Sequence, residues 1–155
     1  MTRDGAGMEL IVFTGIPASG KTTFYARRFL NTHVRVSLDM LKTRKREEIV
    51  LFACLAAEQP VVVDNTNATR EKRARYVRLA RAAKFRTTLY FFEVSTREAV
   101  ARNEKRTGKA RVGKVAIFAT AKHLQRPAAD EDFDQMFLVR PGEGREFAVE
   151  AFVPT

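Results

Sequence analysis

Apolar residues in this chain fall into short unbroken runs, separated by longer stretches with a helical repeat. Leu10-Ile11-Val12-Phe13, Val61-Val62-Val63 and the run from Arg86 to Val94 are short and rich in β-branched or aromatic residues. That pattern marks strands covered on both faces. Strands are predicted at Glu9 to Thr14, His33 to Leu38, Pro60 to Asp64, Arg86 to Val94 and Gln135 to Val139. Phe147 to Phe152 alternates apolar and polar residues with no helix after it, so it reads as an added edge strand within 140–155. Helices are predicted over Gly20 to Asn31, Asp39 to Glu58 and Thr69 to Lys84, the second with a break near Arg44-Lys45-Arg46 and the third under an N-cap at Thr69. Two more run from Ser95 or Thr96 to about Arg106, ended by Gly108, and from Gly113 to Gln125, stopped by Pro127.

Strands alternating with helices imply an α/β fold: a parallel sheet of four to five strands with helices on both faces, a three-layer sandwich. In such sheets ligands bind beyond the carboxyl ends of the strands. Chemistry is therefore expected just after Thr14, Leu38, Asp64 and Val94. No repeat, heptad run or low-complexity linker divides the chain, so 1–155 reads as one domain, with a polar, disordered stretch at 1–7.

Gly15 to Thr22 reads Gly-Ile-Pro-Ala-Ser-Gly-Lys-Thr, a full match to G-x-x-x-x-G-K-[ST], placed between a strand and a helix as that motif requires. Its glycines let the backbone wrap inward, so that N–H groups and a helix N-terminus converge on an anion. Lys21 offers a mobile positive charge to the β/γ-phosphates, and the Thr22 hydroxyl is a hard oxygen ligand for Mg²⁺. Gly15, Ser19, Gly20, Lys21, Thr22 and Thr23 form the expected cofactor cradle, with ATP and Mg²⁺ as cofactors. The fold class becomes a P-loop NTPase type.

Two carboxylates stand at predicted strand ends. Asp39, after Val36-Ser37-Leu38, fits either a base that receives the proton of an acceptor hydroxyl or a cap on the following helix. Asp64 fits a Mg²⁺-organising acid or an Asx-turn, and Asn65, Thr66 and Asn67 extend it into a polar cluster. Arg102, Arg106, Lys109 and Arg111 surround the break at Gly108, where a basic helical lid can close over a triphosphate or simply face solvent. An arginine there is suited to the transferring phosphoryl group.

Charge narrows the choice of second ligand. The chain carries 28 Lys and Arg against 18 Asp and Glu, a net charge of +10. Arg70 to Arg86 and Arg97 to Arg126 are both strongly basic, and the remainder is acidic on balance. ATP needs only a few cations, so the excess points to a polyanion such as nucleic acid, or to a solvated surface. Lys72, Arg75, Arg78 and Arg81 recur every third residue on one face of a predicted helix, with Tyr76, Val77, Ala80 and Ala83 opposite, and either reading fits them. The lone Cys54 sits in an apolar stretch and reads as a buried small hydrophobe, consistent with a cytoplasmic protein. His33 and His123 lack metal-ligand spacing and read as structural. The Asp130-Glu131-Asp132 pattern lies in a loop, which argues against a phosphatase centre. No signal-peptide core or membrane-spanning run is present, so no membrane partner is expected.

From about Met8 to Val139 the chain resembles the polynucleotide 5′-hydroxyl kinases of the P-loop phosphotransferase superfamily. The likeness rests on Gly15 to Thr22, Ser37-Leu38-Asp39, Val63-Asp64-Asn65-Thr66-Asn67, Arg102-Asn103-Glu104-Lys105-Arg106 and Pro127 with Asp132-Phe133-Asp134 and Phe137-Leu138-Val139. The resemblance implies Lys21 and Thr22 on triphosphate and Mg²⁺, Asp39 as general base, Asp64 as a second acid near metal and acceptor, and Arg106, helped by Arg102, on the donor phosphates. The family places an arginine three residues after the base to grip the acceptor's phosphate. Here that residue is Lys42, which lacks the planar fork, so Lys42 or Arg44 would serve, with Asn67 beside the acceptor. The expected activity is transfer of the ATP γ-phosphoryl group to a 5′-OH end of RNA or DNA. A small-molecule kinase and a nucleotide-gated nucleic-acid-binding protein are the alternatives. Relatives often carry a phosphatase or ligase domain; none is visible, so a stand-alone kinase is expected.

Overall fold

The computed structural model describes residues 7–108, 111–142 and 146–154. The disorder expected at 1–7 falls, except for Gly7, outside the described residues, and so does Lys109. Five strands run parallel in the order β2 (Val34–Val36), β3 (Val61–Asp64), β1 (Glu9–Thr14), β4 (Arg86–Phe92) and β5 (Gln135–Pro141). A sixth, β6 (Phe147–Ala151), pairs antiparallel with β5, so the expected edge strand extends the parallel sheet.

Alternation along β1 divides the interior in two. Leu10 and Val12 point into a core with Leu51 and Cys54 of α3 (Arg44–Ala56) and Tyr76 and Ala80 of α4 (Arg70–Ala82). Ile11 and Phe13 point the other way, onto Phe24 and Tyr25 of α1 (Lys21–Arg28), Tyr90 and Phe92. Because both faces are covered, these strands are apolar throughout, which is why they read as continuous runs. The Phe13 ring meets Phe92 edge-on at 4.9 Å between centroids, a favoured aromatic geometry.

A third cluster places the helical lid. Ile16 and Ala18 of the P-loop pack with Ala99 of α5 (Thr96–Glu104) and Ile117 of α6 (Lys114–His123). The buried Asn103 side chain donates to the Val112 carbonyl at 2.6 Å and accepts from its amide at 2.9 Å, which ties α5 to the approach to α6.

The long helix expected over Asp39 to Glu58 is two helices, with its break earlier than Arg44-Lys45-Arg46. α2 (Leu38–Leu41) ends at Lys42, which turns with φ 75°, a conformation non-glycine residues seldom adopt. Thr43 then caps α3, its Oγ1 accepting from the Arg46 amide at 3.1 Å. Threonine chemistry decides the break, and the basic triplet becomes the first turn of the new helix. Cys54 is buried as expected. Among the described residues no helix is long and apolar enough to cross a membrane.

Candidate active site

The P-loop leaves β1 through Gly15, whose amide donates to the Thr66 carbonyl at 3.1 Å. A Cβ at residue 15 would lie 2.9 Å from the Phe92 Cβ, so only glycine fits beside β4. Gly20, at φ 96°, turns the chain into α1, and no side chain caps that helix. Its first amides are free to meet an anion.

Lys21 is nearly buried, and its Nζ donates to the carbonyls of Gly15 at 3.0 Å and Ile16 at 2.8 Å and to Ser19 Oγ at 3.3 Å. Burial lowers its pKa to about 8, against the opposing pull of the Asp64 and Asp39 carboxylates and with the help of Arg106. The charge on Arg106 is disfavoured by burial and by Arg102 and favoured by Asp39. Lys21, Asp39, Asp64 and Arg106 therefore share one electrostatic site, although Asp39 lies 25 positions before Asp64 and Asp64 lies 42 before Arg106. Asp39 itself is exposed, and its carboxylate makes no hydrogen bond or ion pair among the described residues.

Asp64 is buried at the end of β3 and accepts from Thr22 Oγ1 at 3.0 Å and from Arg35 Nε at 2.8 Å. Oxygens 3.0 Å apart match neighbouring ligands of an octahedral Mg²⁺ with bonds of about 2.0–2.1 Å. No group of three or more His, Cys, Asp or Glu suited to a metal occurs among the described residues. One carboxylate and one hydroxyl completed by water and phosphate is the donor set Mg²⁺ takes in nucleotide sites, so the residues fit the ion.

Asn65 links the two strand ends. Its Oδ1 accepts from the Leu38 amide at 2.8 Å, and its Nδ2 donates to Glu47 at 3.1 Å. Glu47 is wholly buried and also meets Tyr76 Oη at 2.8 Å, Arg44 at 3.0 Å and Arg75 at 3.4 Å. Burial and the Glu47 carboxylate push the Tyr76 phenol up to about 12.

On the other side of the loop, Thr23, Arg27, Arg102, Arg106, Glu146 and Phe147 line a cleft of about 630 Å³. A Cβ at Gly20 would lie 2.9 Å from Phe147, so this ring closes directly on the phosphate loop. The Arg27 guanidinium lies 5.6 Å from the Phe147 centroid. Arg102 Nε holds the Ala18 carbonyl at 3.1 Å.

This constellation, on a parallel sheet with α5 and α6 packed over the loop, suits a bound nucleoside triphosphate. Residues 48–129, more than half of the chain, match the AAA domain family. The chain belongs to that family. The bifunctional polynucleotide phosphatase/kinase of Schizosaccharomyces pombe is 27% identical over 131 residues, covering 81% of this chain and 32% of that protein. The chain thus spans about a third of the length of that curated relative. Kti12 of Chaetomium thermophilum, solved in complex with ADP-AlF3, superposes with TM-score 0.62 and 19% identity over 86% of this chain and 91% of its own. A gluconokinase from Sinorhizobium meliloti 1021 gives TM-score 0.62 and 19% identity over 88% and 84%. These likenesses establish the fold.

Two expected acceptor-side residues of this AAA-family chain have internal partners. Asn67 is buried at φ 43°, and its Nδ2 is spent on the Phe13 carbonyl at 2.7 Å, so it anchors β1 and does not face an acceptor. Arg44 pairs with Glu47 and Tyr76 at the start of α3, whereas the exposed Lys42 has no such partner among the described residues. The basic stripe of α4 is partly consumed as well. Arg75 meets Glu47 and Glu48, and Arg81 donates to the Asp132 carbonyl at 2.8 Å. The acidic loop serves structure: Asp130 pairs with Arg70, and Glu131 with the buried Arg73 at 2.7 Å. His33 is structural too, bridging Glu9 and Thr32. Arg35 and Phe147 escaped the sequence reading, because a lone arginine in a short strand and a phenylalanine in an edge strand carry no motif.

Proposed function

We propose that this protein transfers the γ-phosphoryl group of ATP to a 5′-hydroxyl end of RNA or DNA. The observation that carries the reading is Asp39, an exposed carboxylate at the carboxyl end of the sheet that acts electrostatically on both Lys21 and Arg106. A base placed there takes the proton of an acceptor hydroxyl as it attacks the terminal phosphate. Lys21 leaves its loop carbonyls for the β/γ-phosphates, and the α1 amides hold the remaining oxygens. Arg106, seconded by Arg102, meets the charge that develops on the transferred group. Thr22 and Asp64 would hold Mg²⁺, which when bound neutralises β- and γ-oxygens. The nucleotide donor is supported by the P-loop and by the ADP-AlF3 of the Kti12 structure, and the polynucleotide acceptor by the name of the fission-yeast relative and the basic charge.

With γ-labelled ATP, an oligonucleotide bearing a 5′-OH should acquire label, and the same oligonucleotide already 5′-phosphorylated should not. Asp39→Ala should abolish transfer while ATP binding survives. A fully active Asp39→Ala enzyme removes the base from the mechanism. One observation favours a small-molecule acceptor instead: the internal pairing of Arg44 leaves few fixed cations beside Asp39. Label on small alcohols and none on the oligonucleotide would establish that reading.

A further inference from the structure

Arg35 sits where the mechanism gives it no task. Its Nε donates to Asp64 Oδ2 at 2.8 Å, and its NH2 lies 3.3 Å from Thr22 Oγ1 and 3.3 Å from Ser37 Oγ. The guanidinium therefore spans both oxygens suited to a divalent ion. We propose that Arg35 and the divalent cation of the nucleotide compete for the Asp64 and Thr22 oxygens, so that Arg35 sets how much metal the protein needs to take up ATP. The inference rests on the nucleotide-site reading above but not on any acceptor.

Four features support it. Asp64 is almost completely buried, and a carboxylate so placed requires a cationic partner. Arginine meets that need at every physiological pH because it does not lose its proton. A guanidinium and a divalent ion on the same carboxylate oxygen repel strongly, so the occupancy of one excludes the other. Finally, Arg35 belongs to the edge strand β2 and its side chain keeps about a fifth of its surface open, so it can leave without disturbing the core. Ser37 Oγ, already within reach, is a stopping point at the N-cap of the short helix that carries Asp39.

The test uses the full chain and two probes. Mn²⁺, read by its electron paramagnetic resonance signal, is titrated into nucleotide-free wild type and Arg35→Gln, and the variant should bind at least about tenfold more tightly, since one competing charge is gone. ATP is then titrated by calorimetry with EDTA and with Mg²⁺. In Arg35→Gln the ratio of the two dissociation constants should widen by a similar factor, because ATP alone loses a cation while its metal complex loses a competitor. Arg35→Lys keeps the charge without the fork and should fall between. Unchanged or weaker Mn²⁺ binding by Arg35→Gln overturns the proposal while leaving the nucleotide site intact. Failure of wild type to bind ATP under either condition overturns both. A measurement on wild type covers misfolding of the variants: hydrogen exchange at the Arg35 Nε, slow while bonded to Asp64, should accelerate when ATP and Mg²⁺ are added. Protection that persists overturns the exchange.

Discussion

Asn65 holds the amide of Leu38 at 2.8 Å, across 27 residues of sequence, and so fixes the first turn of the short helix that carries Asp39. The same side chain is itself fixed by the buried Glu47. The proposed base is thus oriented from β3, the strand that supplies Asp64, and not by its own helix of four residues. Asn65→Ala should lower phosphoryl transfer by up to about 10²-fold, the scale of a roughly 1 Å misplacement of a reacting group. ATP affinity, which depends on the P-loop, should stay within about twofold. Single-turnover rates and calorimetry on the one variant separate the two effects.

Lys21 predicts opposite responses of stability and nucleotide affinity to pH. Its pKa is about 8 in the folded protein against 10.5 for a free lysine, so between those values the folded state binds fewer protons than the unfolded state. Its contribution to stability therefore rises with pH across that window. Nucleotide phosphates favour the charged form, so ATP binding above pH 8 draws in a proton and its affinity should fall as pH rises. Calorimetry in buffers of different ionisation enthalpy measures that uptake directly. Lys21→Met should abolish it, along with the corresponding slope in thermal stability.

Arg73 is wholly buried, forks onto Glu131 at 2.7 and 3.0 Å, and holds the Asn67 carbonyl at 3.0 Å. Removing one partner strands a buried charge, so Arg73→Met should cost about 3–5 kcal/mol in urea unfolding. Arg73→Met with Glu131→Met removes both charges and should recover much of that loss. Additive losses in the double variant would show that the two side chains do not act as a pair.

Affinity for a 5′-OH oligonucleotide should fall steeply with salt, with a slope set by the number of phosphates contacted. Arg70, Arg73, Arg75 and Arg81 of α4 already have internal acceptors, whereas Lys105 lines the open cleft beside Arg106. Lys105→Ala should therefore reduce the logarithmic slope by about one, and Arg81→Ala should leave it unchanged. Fluorescence anisotropy at several salt concentrations reads both.

The strands, the P-loop and the carboxylate at the end of β3 were legible in the chain because each arises from local chemistry, whereas Asp39, expected at a strand end, lies in the short helix α2. Continuous apolar runs mark β1, β3 and β4, and the spacing of Gly15, Gly20 and Lys21 admits one backbone shape. The break at Lys42 was displaced because Thr43 offers a better cap than a basic triplet offers a stop. The partners of the charges were not legible. Arg35 finds Asp64 across 29 residues and Arg73 finds Glu131 across 58, pairings that exist only once the sheet is ordered β2-β3-β1-β4-β5. For the same reason Asn67, in a strand-end run that looks like part of the site, turns inward to hold Phe13, while the neighbouring Asn65 holds the helix of the proposed base. Composition specifies how many cations this chain carries; which are spent on its own acids and which remain for phosphate is a matter of strand order, because an ion pair depends on distance in space and not along the backbone.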